Sequence, residues 1–191
     1  MFPVAIAAAA AVATPALAQT AASPFTGARA EGLIGWDRVQ ADVGKEDGVA
    51  YGFGVGYDVQ MSNLVVGLEA EFGDSTTKTC ASGYLTVGDR LCARTGRDLY
   101  VGARVGTQIG ASTLLYGKAG YTNARFKLAY DDGGSGAGDF RLGDNYDGLR
   151  LGAGLEYAIG PNSFVKSEYR YSNYEAGAEK HQVVAGFGFR F

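Results

Sequence analysis

The chain has 191 residues and a formal net charge of −3, with 47% hydrophobic residues against 19% charged. That balance excludes a disordered chain and fits one folded domain. Its 30 glycines have no period of three, which excludes collagen, and the acidic balance with no basic patch among aromatics gives no nucleic-acid partner.

Residues 1–18 begin Met-Phe-Pro, continue as an Ala/Val/Ile run and close on Ala16-Leu17-Ala18. An apolar run ending in a small-x-small tripeptide predicts a secretory signal peptide over 1–18, with Gln19 as the mature N-terminus. The run is too short for a spanning helix, which needs about 20 apolar residues. No Lys or Arg precedes it, the first charge being Arg29. This departs from the usual signal pattern and leaves open a start further upstream. A buried Ala-rich helix is disfavoured by Pro3 and Pro15, which bracket the run. Residues 19–26 are expected to form a short periplasmic segment, and 27–191 the folded domain.

Eight segments of that domain alternate with period two, the signature of strands with unlike faces. Residues 27–37 place Ala28, Ala30, Gly32, Ile34 and Trp36 opposite Arg29, Glu31, Leu33, Gly35 and Asp37. In 49–58, Val49, Tyr51, Phe53, Val55 and Tyr57 oppose Ala50, three glycines and Asp58. In 64–72, Leu64, Val66, Leu68, Ala70 and Phe72 oppose Val65, Gly67, Glu69 and Glu71. In 98–109, Leu99, Val101, Ala103 and Val105 oppose Asp98, Tyr100, Gly102, Arg104, Gly106 and Gln108. The fifth segment, 114–130, starts with Leu115, Gly117, Ala119 and Tyr121 against Tyr116, Lys118, Gly120 and Thr122. Beyond Asn123, Phe126 and Leu128 share the parity of Lys118, which predicts either a bulge or a segment standing above a membrane. In 148–159, Leu149, Leu151, Ala153, Leu155, Tyr157 and Ile159 oppose Arg150, Gly152, Gly154 and Glu156. In 164–174, Val165, Ser167, Tyr169 and Tyr171 oppose Lys166, Glu168, Arg170 and Ser172. The last strand puts His181, Val183, Ala185, Phe187, Phe189 and Phe191 opposite Gln182, Val184, Gly186, Gly188 and Arg190.

The connections differ in length. Residues 60–63, 110–112 and 160–163 are short turns rich in Gly, Asn, Ser or Pro. Residues 40–47, 73–97 and 131–147 read as longer polar loops, and 175–179 as a short fourth. Short turns at one end and long loops at the other match an outer-membrane barrel, with short periplasmic turns and longer external loops. Both termini are then periplasmic, and Cys80 and Cys92 fall in the second external loop. Two cysteines in an exported chain predict a disulfide, worth on the order of 3 kcal/mol in the chain-entropy model. No other Cys or His lies nearby to make a metal site.

The two faces decide between a soluble barrel and a membrane one. A soluble barrel is apolar inside and polar outside. Here the charges of the alternating stretches share the glycine face, and the opposite face is Val, Leu, Ala, Tyr, Phe and Trp. A Lys or Arg on a lipid face costs roughly 2–4 kcal/mol at the midplane, so the charged face is the lumen. The predicted fold is all-β: an eight-stranded antiparallel up-and-down transmembrane β-barrel. The lumen network comprises Arg29, Glu31, Glu69, Glu71, Arg104, Lys118, Arg150, Glu156, Lys166, Glu168 and Arg170. Its signs nearly balance, which predicts a salt-bridged plug; a water-filled pore lined by the same residues is the competing reading. The narrow bore of eight strands favours the plug.

Several stretches resemble a known family. They are Glu-Gly-Leu-Ile-Gly-Trp-Asp at 31–37, Tyr-Gly-Lys-Ala-Gly-Tyr-Thr-Asn at 116–123, Lys-Ser-Glu-Tyr-Arg-Tyr-Ser at 166–172 and the terminal Phe-Gly-Phe-Arg-Phe. They are similar to the small outer-membrane β-barrels of Gram-negative bacteria, the OmpA/OmpX-type and opacity-protein-like proteins, alphaproteobacterial members in particular. The likeness covers 25–191. It implies an integral outer-membrane location among lipid and lipopolysaccharide. It also implies an assembly signal at Phe187, Phe189 and Phe191 for the outer-membrane assembly machinery. OmpA-type proteins often carry a periplasmic peptidoglycan-binding domain after the barrel, and this sequence ends at the barrel.

Catalytic constellations are weak. Some small barrels of this kind modify lipid A with a His and a Ser on the lipid face. His181 is the single histidine and has lipid-face parity, as does Ser167; Ser172 has the other parity. Glu69 and Glu71 share a face but have Arg104 and Lys118 to pair with. Gly52, Gly54 and Gly56 lie in a strand with no helix after it, so they cannot cradle phosphate. Asp131, Asp132, Asp139, Asp144 and Asp147 fit no EF-hand spacing and read as a solvated acidic loop. No cofactor or metal is expected. The sequence supports a structural or surface-interaction barrel with external ligands at its loops, ahead of a small-solute porin and, last, a lipid-A-modifying enzyme.

Overall fold

A computed structural model of the chain describes residues 24–41, 44–82, 90–131, 140–175 and 179–191. The expected signal peptide lies outside the described residues. Nine strands follow one another: β1 (Gly27–Ala41), β2 (Gly44–Met61), β3 (Leu64–Ser75), β4 (Lys78–Ser82), β5 (Arg90–Ile109), β6 (Thr113–Asp131), β7 (Phe140–Ala158), β8 (Ser163–Tyr174) and β9 (Glu179–Arg190). All pairings are antiparallel. β3 pairs with β2 and β5, and β1 pairs with β2 and β9, so the sheet closes on itself. β4 carries on the line of β3 along β5 after a break at 76–77. The ring therefore has eight strand positions, an eight-stranded antiparallel barrel.

The seam between first and last strand runs from Arg29↔Arg190 to Gln40↔Glu179. Its lower end is finished by Phe191, whose N–H donates to the Ala28 carbonyl at 2.8 Å. Gly27 faces this junction with φ of 129°, and a Cβ there would stand 2.2 Å from the Phe191 carbonyl oxygen. Only glycine has both the backbone freedom and the room for that closure.

The strands extend well beyond the segments that alternate in sequence. The β1–β2 ladder continues to Ala41↔Gly44, so most of the expected 40–47 loop is paired strand. β5, β6 and β7 reach 20, 19 and 19 residues. The loop expectation came from the loss of hydrophobic alternation. A ladder with water on its faces is held by backbone hydrogen bonds and cross-strand pairs, and it does not require an apolar face. Of the two readings of β6 beyond Asn123, the bulge is absent from that strand, because β6 runs unbroken against β7 from Thr113↔Tyr157 to Tyr130↔Phe140, and the parity change falls where β6 continues past the apolar outer surface. The irregularity lies in the partner strand: β5 holds one extra residue between Thr95 and Asp98.

Side chains are distributed inside out relative to a soluble protein. Large apolar residues such as Ile34 (62% exposed) and Leu68 (69%) cover the outer surface, while Arg29, Arg104, Lys118 and Glu156 are buried. Aromatic residues cluster outside at two levels. Trp36, Tyr51, Phe72, Tyr121 and Tyr169 lie toward the long hairpins; Tyr57, Tyr157, Phe187 and Phe189 lie toward the short turns. This is the girdle arrangement of a barrel in a bilayer. Inward glycines make room for the ionic side chains. A Cβ at Gly67 would stand 2.0 Å from Asp58 Oδ1, and one at Gly102 would stand 2.2 Å from the Tyr100 hydroxyl.

Candidate functional site

Among the described residues, eight cations and eight carboxylates are buried in the lumen. The cations are Arg29, Arg104, Lys118, Arg150, Lys166, Arg170, Lys180 and Arg190; the carboxylates are Glu31, Asp37, Asp58, Glu69, Glu71, Asp98, Glu156 and Glu168. They form three tiers along the axis.

The tier nearest the short turns centres on Asp58, whose side chain is fully buried. Arg104 grips it through Nε–Oδ1 at 2.8 Å and Nη2–Oδ2 at 2.5 Å. Arg29 Nε and Arg190 Nη2 each approach Asp58 Oδ2 at 3.2 Å. Glu156 bridges the same group, accepting from Arg104 Nη1 at 2.9 Å and Arg190 Nη2 at 2.7 Å. Below lies an apolar floor of Phe25, Val65, Leu114 and Tyr116. Phe25 enters from the segment before β1 and is 0% exposed. The Arg190 guanidinium carbon stands 5.6 Å from the Phe25 ring centre and 5.5 Å from that of Phe164. Arg190 also donates to the Pro24 carbonyl at 3.2 Å.

In the middle tier, Lys118 Nζ meets Glu69, Glu71 and Glu168 at 2.9, 2.8 and 2.9 Å. Lys166 Nζ donates to Glu31 at 2.6 Å. Arg29 pairs with Glu31 at 2.9 Å and also with Glu69. Arg170 pairs with Glu71 at 2.9 Å and also with Glu168. The Tyr116 hydroxyl donates to Glu168 at 2.6 Å, and Lys118 Nζ lies 4.5 Å from the Tyr100 ring centre.

The upper tier centres on Asp98, which accepts from Arg150 Nη2 at 2.6 Å and Lys180 Nζ at 3.2 Å. Thr122 adds a hydroxyl donor at 3.0 Å. Lys180 also reaches Asp37 at 3.5 Å, and Thr77 donates to Asp37 at 2.8 Å. A void of about 30 Å³ remains here, bordered by Leu33, Asp98, Arg150, Arg170, Lys180 and Gln182. That is room for about one or two water molecules.

All eleven network residues expected from sequence therefore face inward and meet in these tiers. Asp37, Asp58, Asp98 and Arg190, read on the same face, join them. The sequence reading missed Lys180, although it has the lumen parity of Gln182 and Val184. It also missed the floor residue Phe25, which precedes the first alternating stretch.

Outside the lumen, Cys80 and Cys92 stand opposite each other in the β4–β5 hairpin and form a disulfide. Phe187, Phe189 and Phe191 lie exposed in one outward row on and just after β9. His181 Nδ1 is 2.7 Å from the Tyr169 hydroxyl, and its ring packs 5.1 Å from that of Tyr171. Ser167 pairs with Ala185, four residues along β9 from His181, while the buried Ser172 accepts from Arg150. The His–Ser pair is thus not assembled. At the upper rim, Arg38 holds Asp47 through contacts of 2.7 and 3.1 Å, and that hydrogen bond keeps the Asp47 carboxyl below the usual carboxylate range. Of the acidic residues in 131–147, Asp132 and Asp139 lie outside the described residues. Asp147 accepts from Asn123 at 2.6 Å and from Tyr121.

Asp58 is the shared counterion of three arginines, which generates a test. Asp58→Asn leaves buried guanidiniums short of a negative charge, a change that costs about 3–5 kcal/mol in buried ion pairs. The expected outcome is a lower urea midpoint for the folded band on unboiled gels, with Asp58→Glu closer to the parent. An unchanged midpoint in Asp58→Asn would show that this charge is not needed to hold the tier.

The outer membrane protein beta-barrel domain family matches residues 4–191. The 31 kDa outer-membrane immunogenic protein of Brucella melitensis is 28% identical over 160 residues, covering 75% of this chain and 67% of that protein. The 22 kDa outer membrane protein of Rhizobium leguminosarum is 27% identical over 157 residues, covering 74% of this chain and 67% of its own. Among solved structures, Ail, the attachment invasion locus protein of Yersinia pestis, in complex with the heparin analogue sucrose octasulfate, aligns with a TM-score of 0.57 at 22% identity, over 86% of this chain and 99% of that one. Neisserial surface protein A aligns with a TM-score of 0.57 at 16% identity, over 87% and 98%. At these identities the solved structures speak for the fold alone. With a match across nearly the whole sequence, and with charges inside and apolar residues outside a closed barrel, the chain belongs to the outer membrane protein beta-barrel family.

Proposed function

We propose that this protein is a non-conducting, non-enzymatic outer-membrane barrel that anchors and displays its long hairpins in a structural or surface-interaction role. The observation that carries this reading is the filled lumen. Eight cations and eight carboxylates meet across the bore above an apolar floor. Among the described residues these charges close on one another across the bore, and the void beside the upper tier is about 30 Å³, which supports a filled lumen. The exposed parts of β1–β2, β4–β5 and β6–β7 are then where binding to external ligands takes place, as loops on a rigid scaffold commonly are. The structure of Ail with a heparin analogue offers a precedent for ligand binding on this fold.

The proposal includes a topology. Residues 1–18 direct export and are removed, both termini face the periplasm, and the long hairpins face outward among lipopolysaccharide. The asymmetry of turn and hairpin lengths supports this orientation. Phe187, Phe189 and Phe191 serve as the signal for the outer-membrane assembly machinery, which an exposed aromatic row at the end of the final strand supports.

Planar-bilayer recording of folded protein is expected to show no steady conductance while the unboiled band still migrates faster on gels. Steady channels that change when Arg104 or Lys118 is neutralised would replace this reading with a small porin. Deleting Phe191 is expected to lower the amount of folded protein in the outer membrane several-fold; unchanged insertion would remove the assembly role. An epitope tag placed within 83–89 is expected to be labelled by antibody on intact cells, and labelling only after permeabilisation would invert the topology.

A further inference from the structure

The outward surface of the hairpins is not uniform in charge. On β5 and β6, Arg94 and Arg125 are exposed, and Arg97 is half-buried between them. None of the three forms an ion pair with a described residue. Arg97 Nη2 instead reaches two neutral amide oxygens, Asn123 Oδ1 at 3.3 Å and Asn145 Oδ1 at 3.4 Å, and its Nε has no hydrogen-bond partner. In the backbone register, Lys78 of β4 and Lys127 of β6 are the residues paired with Arg94. Carboxylates near this surface include Asp147, held by Tyr121 and Asn123, Asp131 at the top of β6, and Asp74 of β3, which follows the Gly73↔Asp98 pair beside Arg97 and accepts from the Ser75 N–H at 2.7 Å; none of them is within salt-bridge distance of the three arginines.

The bulge in β5 builds this patch. Positions 94 and 97 differ by three, so a regular strand would send them to opposite faces. The extra residue between Thr95 and Asp98 resets the parity. Arg97 points out to Asn123 and Asn145, Asp98 still points in to Arg150, and Arg94 lies outside again. A bulge that re-aims a side chain is a specific device, and here it costs the ladder its continuity.

The height of the patch identifies what it meets. Arg97 lies two residues from Leu99 of the apolar outer surface, or about 7 Å along the strand; Arg125 lies four residues beyond Tyr121, or about 13 Å. The cations therefore start where the apolar belt ends and face sideways along the membrane plane. A lipid headgroup occupies that depth, whereas a soluble ligand would meet the hairpin tips first.

We propose that the outward face of β4–β6, with Arg94, Arg97 and Arg125 at its centre, is a binding site for the phosphorylated sugar headgroup of the outer-leaflet glycolipid, lipopolysaccharide. Guanidinium groups match phosphate oxygens in two-pronged contacts and stay charged at every physiological pH. The inference rests on the proposed orientation, in which this end meets the outer leaflet. The geometry implies a few specifically held lipids on one side of the barrel, with the opposite rim, where Arg38 is already neutralised by Asp47, left to general lipid contact.

The test uses the full chain folded in a zwitterionic detergent, titrated with fluorophore-labelled lipopolysaccharide or with the same lipid after enzymatic dephosphorylation. The parent is expected to bind the phosphorylated lipid saturably and the dephosphorylated one at least tenfold more weakly. At about 1 kcal/mol per basic residue near an anionic lipid surface, the Arg94→Gln/Arg97→Gln/Arg125→Gln variant should bind on the order of 100-fold more weakly at low salt. Arg38→Gln should bind like the parent. Equal affinity for both lipids, or equal affinity of parent and triple variant, would overturn the proposal. So would tighter binding of a soluble sulfated polysaccharide than of lipopolysaccharide, which would make the patch an extracellular polyanion site. If the triple variant does not fold, the comparison of the two lipids on the parent decides. Detergent binding does not depend on orientation, so its failure is separable from that of the topology, which the surface tag reads.

Discussion

The closure of β1 onto β9 is the constraint on which the rest of this protein depends. In hydrocarbon no water is available to pair a free N–H or C=O, so a sheet can cross only if it has no edge. Eight strand positions close that ring. Once it is closed, the two-residue period of a strand assigns every side chain to lipid or to lumen. Lipid accepts only apolar groups at low cost, which leaves one place for the charges. The ionic interior is thus a consequence of closure at this strand number. A bore this narrow must be filled by side chains, and the same strands must not be apolar on both faces.

That last condition explains why the filling is ionic. Buried ion pairs are seldom the most stabilising choice, since well-packed apolar residues of similar volume often match or exceed them. A chain apolar on both faces, however, would lose the information that sets its register. A slip by one residue exchanges the two faces of a strand. Here such a slip in β3 would send Glu69 and Glu71 into lipid and take from Lys118 two of its three carboxylates, leaving Glu168. The charges penalise wrong registers more than they reward the right one. Their arrangement fits that role, because each tier draws on distant strands. Arg104 of β5 meets Asp58 of β2 and Glu156 of β7, and Lys166 of β8 meets Glu31 of β1. Such contacts form only when the whole ring is in register.

The legible part of this design was the part written with period two. Each lumen charge read from parity, from Arg29 to Arg190, lies inside. The outer belt follows the same rule. Three features were not legible, for separable reasons. Above the bilayer both faces of a strand are wet, so β5, β6 and β7 continue without the alternation that would announce them. Phe25 seals the floor from outside any strand, and its place depends on how Pro24 and Arg190 meet in three dimensions. The basic patch is the clearest case. Arg94 and Arg97 look like opposite-face residues until the bulge is known, and Arg125 joins them only by the register of β6 against β5. No window of the sequence contains that patch.

The lumen and the outer surface of the barrel differ in how their charges are settled. In the lumen, every described cation has a carboxylate within salt-bridge distance, and the desolvated site leaves no choice about it. On the outer surface of β5 and β6, Arg94, Arg97 and Arg125 have none among the described residues, and one of them reaches for neutral amides instead. Solvent makes an unpaired surface arginine inexpensive, so any one of the three would need no explanation. Three of them on adjoining strands, facing one way at the upper edge of the lipid surface, together with a bulge that breaks the ladder where it turns Arg97 outward, form a pattern that solvation alone does not account for. An anion supplied by the membrane would give these three guanidinium groups the partner that the described residues do not. On this view the barrel uses its internal charges to fix its own register and its external ones to fix its lipid neighbours, which ties the outer surface of β4–β6 to the leaflet that surrounds it.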